Sequence, residues 1–450
     1  MVVAGTSSGV GKTTVATGIM AALRRRGFAV APAKVGPDFI DPGYHALATG
    51  RPGRNLDAWM SGPGLIGPLA GRAGAGADVL VVEGVMGMFD GAADGGSSDE
   101  ASTGHIARLL DAPVLLVVDA AAMSGSVAAL VHGFASFDPD VRVEGVVLNR
   151  VGSDGHEVML REALEPLGVP VLGALRRDDR FAWRDRHLGL VPVVERQAEV
   201  TASLDRLAAA VERACDLDAV MAVARSAPPT AVGDLPSPRR AGSARVAVAG
   251  GAAFSFVYPD NVEAMEAAGA EVVPFDPLED DRLPDGCRAL YVGGGFPEVY
   301  APALAANRPL LEDVTRRVAG GLVTWAECGG LLWLARSLDG NPLAGVVAAD
   351  ARMTDRLSLG YRRAAVRVDC PVAPAGAQLR GHEFHYSAIE PSGDALDLAG
   401  RFGGGSAGFA TPTLLASYLH LHLAATPEVA ERFVSTAAAA ATARQHVPST

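Results

Sequence analysis

Residues 1–14, MVVAGTSSGVGKTT, decide the fold of the first half of the chain. Val2–Ala4 reads as a short apolar strand. A glycine-punctuated turn follows, and Thr13 to Arg26 reads as a helix with a basic last turn. Gly9 and Gly11 let backbone N–H groups converge on phosphate oxygens, and the helix N-terminus adds the positive end of its dipole. Lys12 offers a point charge, Thr14 a second hydroxyl, and Thr13 a hydroxyl that can ligate Mg²⁺. Gly9, Gly11, Lys12, Thr13 and Thr14 are therefore candidate nucleotide-binding residues. The strict phosphate-loop spacing would put glycine at position 6, where Thr6 follows Gly5. The strand–loop–helix context carries the reading.

Outward from this loop, apolar runs alternate with helical stretches. Ala29–Lys34, Asp78–Glu83 (DVLVVE), Val114–Asp119, Gly145–Asn149 and Val169–Leu175 read as strands. Their apolar runs are continuous, as in parallel strands buried on both faces. Such α/β sheets bind ligands at the C-terminal strand ends. Two acidic segments fall there, KVGPDFID (34–41) and EGVMGMFDG (83–91). Asp38 and Glu83 are the candidate metal-linked carboxylates, because Mg²⁺ prefers a few hard oxygens plus waters. Lys34, Asp41 and Asp90 are candidates for orienting substrate. Asp41 and Asp90 can equally be solvated loop carboxylates or helix caps. Asn149 either reads an adenine edge or forms a turn.

Residues 1–225 are thus expected to form one domain. Ser226–Ser243 is rich in Pro, Gly and Ser and reads as a linker. A second α/β series occupies 244–436. Its expected strands are Arg245–Ala249, Glu271–Phe275, Ala289–Val292 and Gly321–Ala326, with a helix over Asn261–Ala268. Residues 437–450 read as a flexible tail. The fourth strand runs into Glu327-Cys328-Gly329-Gly330, which has the form of a nucleophile elbow: a tight strand-to-helix turn that exposes a thiol and aims it at a helix dipole. The candidate base is His420, in SYLHLH (417–422). Gly294 and Gly295 follow a strand and are candidates for an oxyanion hole. His382 and His385, in GHEFHYS (381–387), lack an evident third ligand and are expected in a packed loop near the thiol or at a domain interface.

The chain has 450 residues, 49% of them hydrophobic, and a net charge of −12. The length suits two or three domains. The acidic balance argues against a nucleic-acid partner. No apolar run reaches the roughly 20 residues of a membrane span. Four cysteines without metal spacing make no disulfide framework, so a reducing, cytoplasmic location is expected. The N-terminus reads as a strand and not as a leader.

The nucleotide half resembles the dethiobiotin synthetase-like P-loop enzymes, which phosphorylate a carboxylate or carbamate. Switch ATPases of the deviant P-loop type carry a second lysine where this chain has Ser7. The whole chain resembles the cobyrinate / hydrogenobyrinate a,c-diamide synthase family of cobalamin biosynthesis. The carrying segments are GTSSGVGKTT, KVGPDFIDPGYH, RNLDAWM, VVEGVMGMFDG, GVVLNRV, RHLGLVP, AFSFVYPDN, VGGGFPE, AECGGL, LGYR, GHEFHYS and SYLHLH. The resemblance implies a P-loop domain followed by a class I glutamine amidotransferase-like α/β domain. It implies ATP and Mg²⁺, with glutamine and a corrinoid polycarboxylate as substrates, and it leaves open a homodimer. Cys328, deprotonated by His420, would release ammonia from glutamine, and ammonia would displace phosphate from an activated ring carboxylate. Ammonia must then be shielded from water on its way between the halves. Arg176, Arg177, Arg180, Arg184, Arg186 and His187 would hold the ring carboxylates. The sibling amidases of cobyric acid and of Ni-sirohydrochlorin share these motifs. Two positions depart from the family pattern. Gly251 stands where an acid is common. His422 stands where class I amidotransferases carry the glutamate of a Cys-His-Glu triad.

Overall fold

The computed structural model describes residues 1–92, 99–177, 185–186, 189–190, 192–229, 233–401 and 403–445, with backbone alone for 185–186, 189–190 and 441–445. The chain divides into two compact units, Met1–Leu235 and Pro236–Thr450.

The first unit is built on strands β1 (Val2–Gly5), β2 (Val30–Val35), β3 (Arg54–Leu56), β4 (Val79–Glu83), β5 (Val114–Asp119), β6 (Val143–Val151) and β7 (Val171–Arg176). They form one parallel sheet in the order β3-β2-β4-β1-β5-β6-β7. Val2, Val3 and Ala4 of β1 and Val114 to Val118 of β5 are wholly buried, as central strands covered on both faces require. The helix Lys12–Arg25 leaves the loop after β1, and the helix Asp41–Thr49 follows β2. Arg54–Leu56, too short for a periodic signal, is a strand the sequence did not announce. Two short strands, β8 (Asp185–Arg186) and β9 (Gly189–Leu190), pair antiparallel.

The second unit contains two sheets. In the first, β10 (Ala244–Ala249), β11 (Ala270–Phe275), β12 (Ala289–Val292), β13 (Val323–Glu327) and a later strand, Leu414–Ser417, run parallel. The second sheet joins β14 (Ala335–Leu338), β15 (Asn341–Pro342), β16 (Val347–Val366), β17 (Gln378–Glu390), β18 (Leu396–Gly400), β19 (Gly403–Ala407) and the short strand His420–Leu421. In chain order the remaining strands are β20 (Phe409–Thr411), β21 (Leu414–Ser417) and β22 (His420–Leu421). β20 closes the first sheet, antiparallel to β21.

Two expectations are corrected here. GHEFHYS is not a loop but the middle of β17, with His382 paired to His420 of β22. Its buried positions carry His382, His385 and Ser387, so the apolar alternation that marks a strand is missing. The stretch expected as a tail begins as helix, because Pro427–Gln445 is one continuous helix. Alanine is the strongest helix former, and Phe433, Val434 and Ala437 are buried. Among the described residues no helix is long and apolar enough to cross a membrane.

Candidate active site

The loop after β1 carries Gly9 and Gly11 at positive φ, 75° and 100°. Gly11 has a second constraint: a Cβ there would lie 2.1 Å from Asn149 Nδ2. Asn149 thus supports the loop from beneath. Its Nδ2 donates to the Val10 carbonyl at 2.8 Å, and its Oδ1 accepts from Arg150 N at 2.9 Å. These bonds favour a loop brace over an adenine reader. The register shift between Leu148 and Val151, with Arg150 at φ 59°, marks a bulge in β6 that aims Asn149 at the loop. Arg150 also donates to the Gly9 carbonyl at 2.9 Å and pairs with Asp119. No local pattern in GVVLNRV announces this brace.

Thr13 Oγ1 donates to Glu83 Oε1 at 2.6 Å, with Asp41 Oδ2 at 3.5 Å. Lys34 Nζ lies 3.7 Å from Asp41 Oδ2 and donates to the Gly84 carbonyl at 2.9 Å. Asp38 is turned to its own loop, where its Oδ1 accepts from Ile40 N at 2.7 Å and Asp41 N at 3.2 Å. Asp41, not Asp38, is the carboxylate beside Thr13. His45 completes the cluster, its Nε2 2.5 Å from Glu83 Oε2 with both side chains buried. It closes KVGPDFIDPGYH and had drawn no role from its residue type alone. Burial opposes ionisation of Glu83, but Lys34 and His45 hold it down at about 2. Burial, then Asp38 and Glu83, push Asp41 well above the usual carboxylate range. Burial and the neighbouring Lys34 lower Lys12 to about 8, and its Nζ donates to the Ser7 carbonyl at 2.9 Å. Thr14 lies in the first turn of the helix Lys12–Arg25.

Asp90 Oδ2 accepts from Gly87 N at 2.8 Å, and the residue lines a cavity with Thr6, Phe89, Phe134 and Phe137. Arg176 is taken up by Asp154 and Glu157 on the surface. Arg186 lies on β8, where only the backbone is described, and His187, Arg180 and Arg184 lie outside the described residues.

In the second unit Cys328 has φ 48° and ψ −101°, between β13 and the helix Gly329–Leu334. An L-residue held there is strained, as a nucleophile elbow requires. Parallel pairing of β13 with β21 sets Glu327 opposite Ser417, and Cys328 N donates to the Ser417 carbonyl at 2.7 Å. His420 lies three residues further on, and its side chain hydrogen-bonds Cys328. Burial alone would lower the His420 pKa, but Cys328 and Glu327 raise it to about 10. All four cysteines are buried, Cys328 included, so the elbow does not expose its thiol in this structure; burial pushes Cys215 up to about 12 and raises Cys287 and Cys370.

The N–H of Gly294 is donated to the Phe256 carbonyl at 3.1 Å, which removes it as an oxyanion donor. Gly294 is needed for space, because a Cβ there would lie 2.6 Å from His420 Cε1. The nitrogen of Gly295 lies against the elbow, 3.0 Å from where a Cβ on Gly329 would sit. His385 stacks on Tyr418 at 3.7 Å, and His382 stacks on His420 at 4.9 Å. At Gly251, a Cβ would lie 2.0 Å from Asp276 Oδ2, so the Asp276 carboxylate already fills that volume.

Comparison with known proteins agrees with this division. Residues 1–190 match the CobQ/CobB/MinD/ParA nucleotide binding domain, and residues 245–428 match the CobB/CobQ-like glutamine amidotransferase domain. The hydrogenobyrinate a,c-diamide synthase of Streptomyces coelicolor is 50% identical, over 96% of each chain. That of Thermobifida fusca is 48% identical, over 97% of this chain and 96% of its own. The cobyrinate a,c-diamide synthase of a Synechococcus species is 40% identical, over 96% of this chain and 97% of its own. The chain therefore belongs to the cobyrinate / hydrogenobyrinate a,c-diamide synthase family, as an amide-forming ligase that joins a nucleotide-binding domain to a glutamine amidotransferase domain.

Proposed function

We propose that this chain uses ATP·Mg²⁺ and glutamine to amidate the a and c acetate carboxylates of hydrogenobyrinic acid. The single observation that carries the reading is the pairing of two sites in one chain. One is the phosphate loop with Thr13 bonded to Glu83. The other is the Cys328 elbow bonded to His420. The relatives named for hydrogenobyrinate share 48–50% identity, against 40% for the Synechococcus enzyme named for cobyrinate, which favours the cobalt-free ring.

The cluster fits a magnesium nucleotide: a threonine hydroxyl and two carboxylates meet at the mouth of a glycine loop, as a hard cation with phosphate ligands needs. Thr13, Glu83 and Asp41 would hold the ion, and Gly9, Gly11, Lys12 and Thr14 the phosphates. The bound nucleotide supplies a phosphoryl group that turns a carboxylate oxygen into a good leaving group. Lys34 and Asp90 orient the ring carboxylate, and Arg186 and His187 meet its other acids. In the second unit the proton shared by Cys328 and His420 rests on the imidazole, and the thiolate adds to the glutamine side-chain carbonyl. Gly295 N–H receives the developing oxyanion. His420 returns the proton to the departing nitrogen, ammonia leaves, and water hydrolyses the glutamyl thioester.

Mass-resolved turnover of hydrogenobyrinic and cobyrinic acids, with ATP·Mg²⁺ and either glutamine or ammonia, tests this. Two amides are expected on hydrogenobyrinic acid, and Cys328→Ala should use ammonia but not glutamine. If neither acid gains an amide while glutaminase or ATPase activity persists, the substrate assignment fails.

A further inference from the structure

The residue two positions after His420, where the sequence pattern would place an acid, is occupied elsewhere. His422 caps the short turn Leu423–Ala425, and its Nε2 is 3.9 Å from Asp260 Oδ2. The carboxylate that faces His420 comes from the strand before the nucleophile. Glu327 Oε2 is 3.7 Å from His420 Nδ1, and both side chains are 1% exposed. Glu327 is held in place from two sides. Its Oε1 accepts the Leu421 N–H at 3.0 Å, and its Oε2 accepts the Tyr291 hydroxyl at 3.0 Å. Burial, then Glu327, raise Tyr291 well above the usual phenol range, so it remains a donor. A carboxylate this deep is costly unless it is hydrogen-bonded and paired. The partner within ion-pair range is the imidazole of His420. The opposite edge of that ring lies along Gly294, where a Cβ would be 3.3 Å from Nε2. That edge faces the turn that lies against the elbow.

We infer that Glu327 is the positioning residue of the glutaminase: it accepts the Nδ1–H of His420, fixes the tautomer whose Nε2 takes the Cys328 proton, and steadies the imidazolium that results. The inference rests on the reading of Cys328 and His420 as the glutaminase pair. At 3.7 Å the contact is longer than a hydrogen bond, and the proposed role requires it to tighten in the substrate complex. The proton balance is closed. The Sγ–H proton already rests on Nε2 when the thiolate forms the S–C bond, and it passes to the amide nitrogen as the C–N bond breaks. Glu327 keeps its charge throughout. The acid of the triad has thus moved from the strand bearing the base to the strand bearing the nucleophile. The register sets Glu327 opposite Ser417, three residues before His420, which brings its carboxylate to the base.

The test uses the full chain with Glu327→Gln and Glu327→Asp. Glutamine preserves the size of the side chain and can accept from Leu421 N, but its amide N–H faces Nδ1 and favours the wrong tautomer. Glutaminase kcat is expected to fall by at least ~10²-fold, towards the ~10⁴-fold drop of the corresponding acid-to-amide change in a serine protease triad. Ammonia-dependent amidation should stay within about twofold of wild type, as the nucleotide half is untouched, and E327D should recover at least about tenfold over E327Q. The groups around His420 are Cys328 and Glu327 from β13 and its turn, and His382 and His385 from β17. Of these E327Q changes one charge, and its loss moves the basic limb of kcat/KM to lower pH. Glutaminase within about threefold of wild type with unmoved limbs overturns the proposal. So do E327Q and E327D that are equally slow with unmoved limbs, which is the mark of packing alone. If E327Q does not fold, E327D decides, because its shorter carboxylate must still lower the basic limb. A wild-type chain without glutaminase activity overturns the functional reading, and the positioning role with it.

Discussion

Substitution of Gly294 by alanine tests the glutaminase site through space alone. The φ of Gly294 lies outside the left-handed region, and its N–H bond to Phe256 is compatible with alanine. The added methyl would meet His420 Cε1 at 2.6 Å and Nε2 at 3.3 Å. Carbon atoms pack at about 3.5 Å, so the ring must retreat by roughly 1 Å. It has little room: His382 stacks on one face at 4.9 Å and Glu327 lies 3.7 Å from Nδ1. A misplacement of about 1 Å costs roughly 10²-fold in rate, or ~2.7 kcal/mol of transition-state stabilisation. Overpacking should cost the second unit ~1–3 kcal/mol of stability. Steady-state glutamine hydrolysis, with ammonia-dependent amidation as the internal control, reads the effect. G294A should lose about two orders of magnitude with glutamine and nothing with ammonia. Glutaminase activity within about threefold of wild type would refute the placement of His420 against this loop.

Gly11→Ala forces an L-residue to φ 100° and drives a methyl into Asn149 Nδ2, 2.1 Å away. Backbone strain of ~1–2 kcal/mol, with loss of the Asn149 brace, should weaken nucleotide binding at least about tenfold in a titration, while glutaminase is unchanged. Wild-type nucleotide affinity would count against the brace. The pH dependence of stability follows from His420, whose pKa is raised to about 10 in the fold against 6.5 unfolded. The folded state then binds more protons than the unfolded state between these values. Its contribution is complete below pH ~6.5 and is lost as pH rises through about 10. The calorimetric midpoint of the second unit should therefore fall across that window, and fall less in His420→Gln. Equal slopes for the two proteins would show that another group titrates.

The parallel sheet, the phosphate loop and the elbow were legible because each is local: a continuous apolar run, then glycine or a small residue, then a helix. The second sheet of Pro236–Thr450 was not, because β16 and β17 carry arginines, histidines and glutamate where an apolar alternation would announce a strand. Site residues divided in the same way. Thr13, Glu83 and Asp41 were named from the sequence, but their mutual contacts join two helix starts and a strand end from separate parts of the chain. The assignment of Asp38 over Asp41 had no local signal to correct it. His45 and Arg150 were in view and passed over, since a lone histidine on a helix or an arginine after a strand has many uses. Only the bond to Glu83, or to the Gly9 carbonyl, singles them out.

The two strand-terminal glutamates show the same limit from the other side. β4 and β13 both end in a glutamate that is 1% exposed, and each is followed by a turn bearing a glycine. Strand alternation predicts only that such a residue points to one face, and a buried face normally excludes an acid. What makes each tolerable is a hydrogen-bond partner brought by a different segment. Thr13 and His45 meet Glu83, and Tyr291 and Leu421 N meet Glu327, with His420 close by. A buried acid at a C-terminal strand end therefore marks the place where another segment must supply the donor. In β4 that donor set includes the first hydroxyl of the phosphate-loop helix. In β13 it flanks His420, the base proposed for the next residue in the chain. Read this way, an acid ending an otherwise apolar strand indicates where the chemistry lies before any catalytic motif is recognised, whereas the identity of its partners becomes visible only when strand register is known.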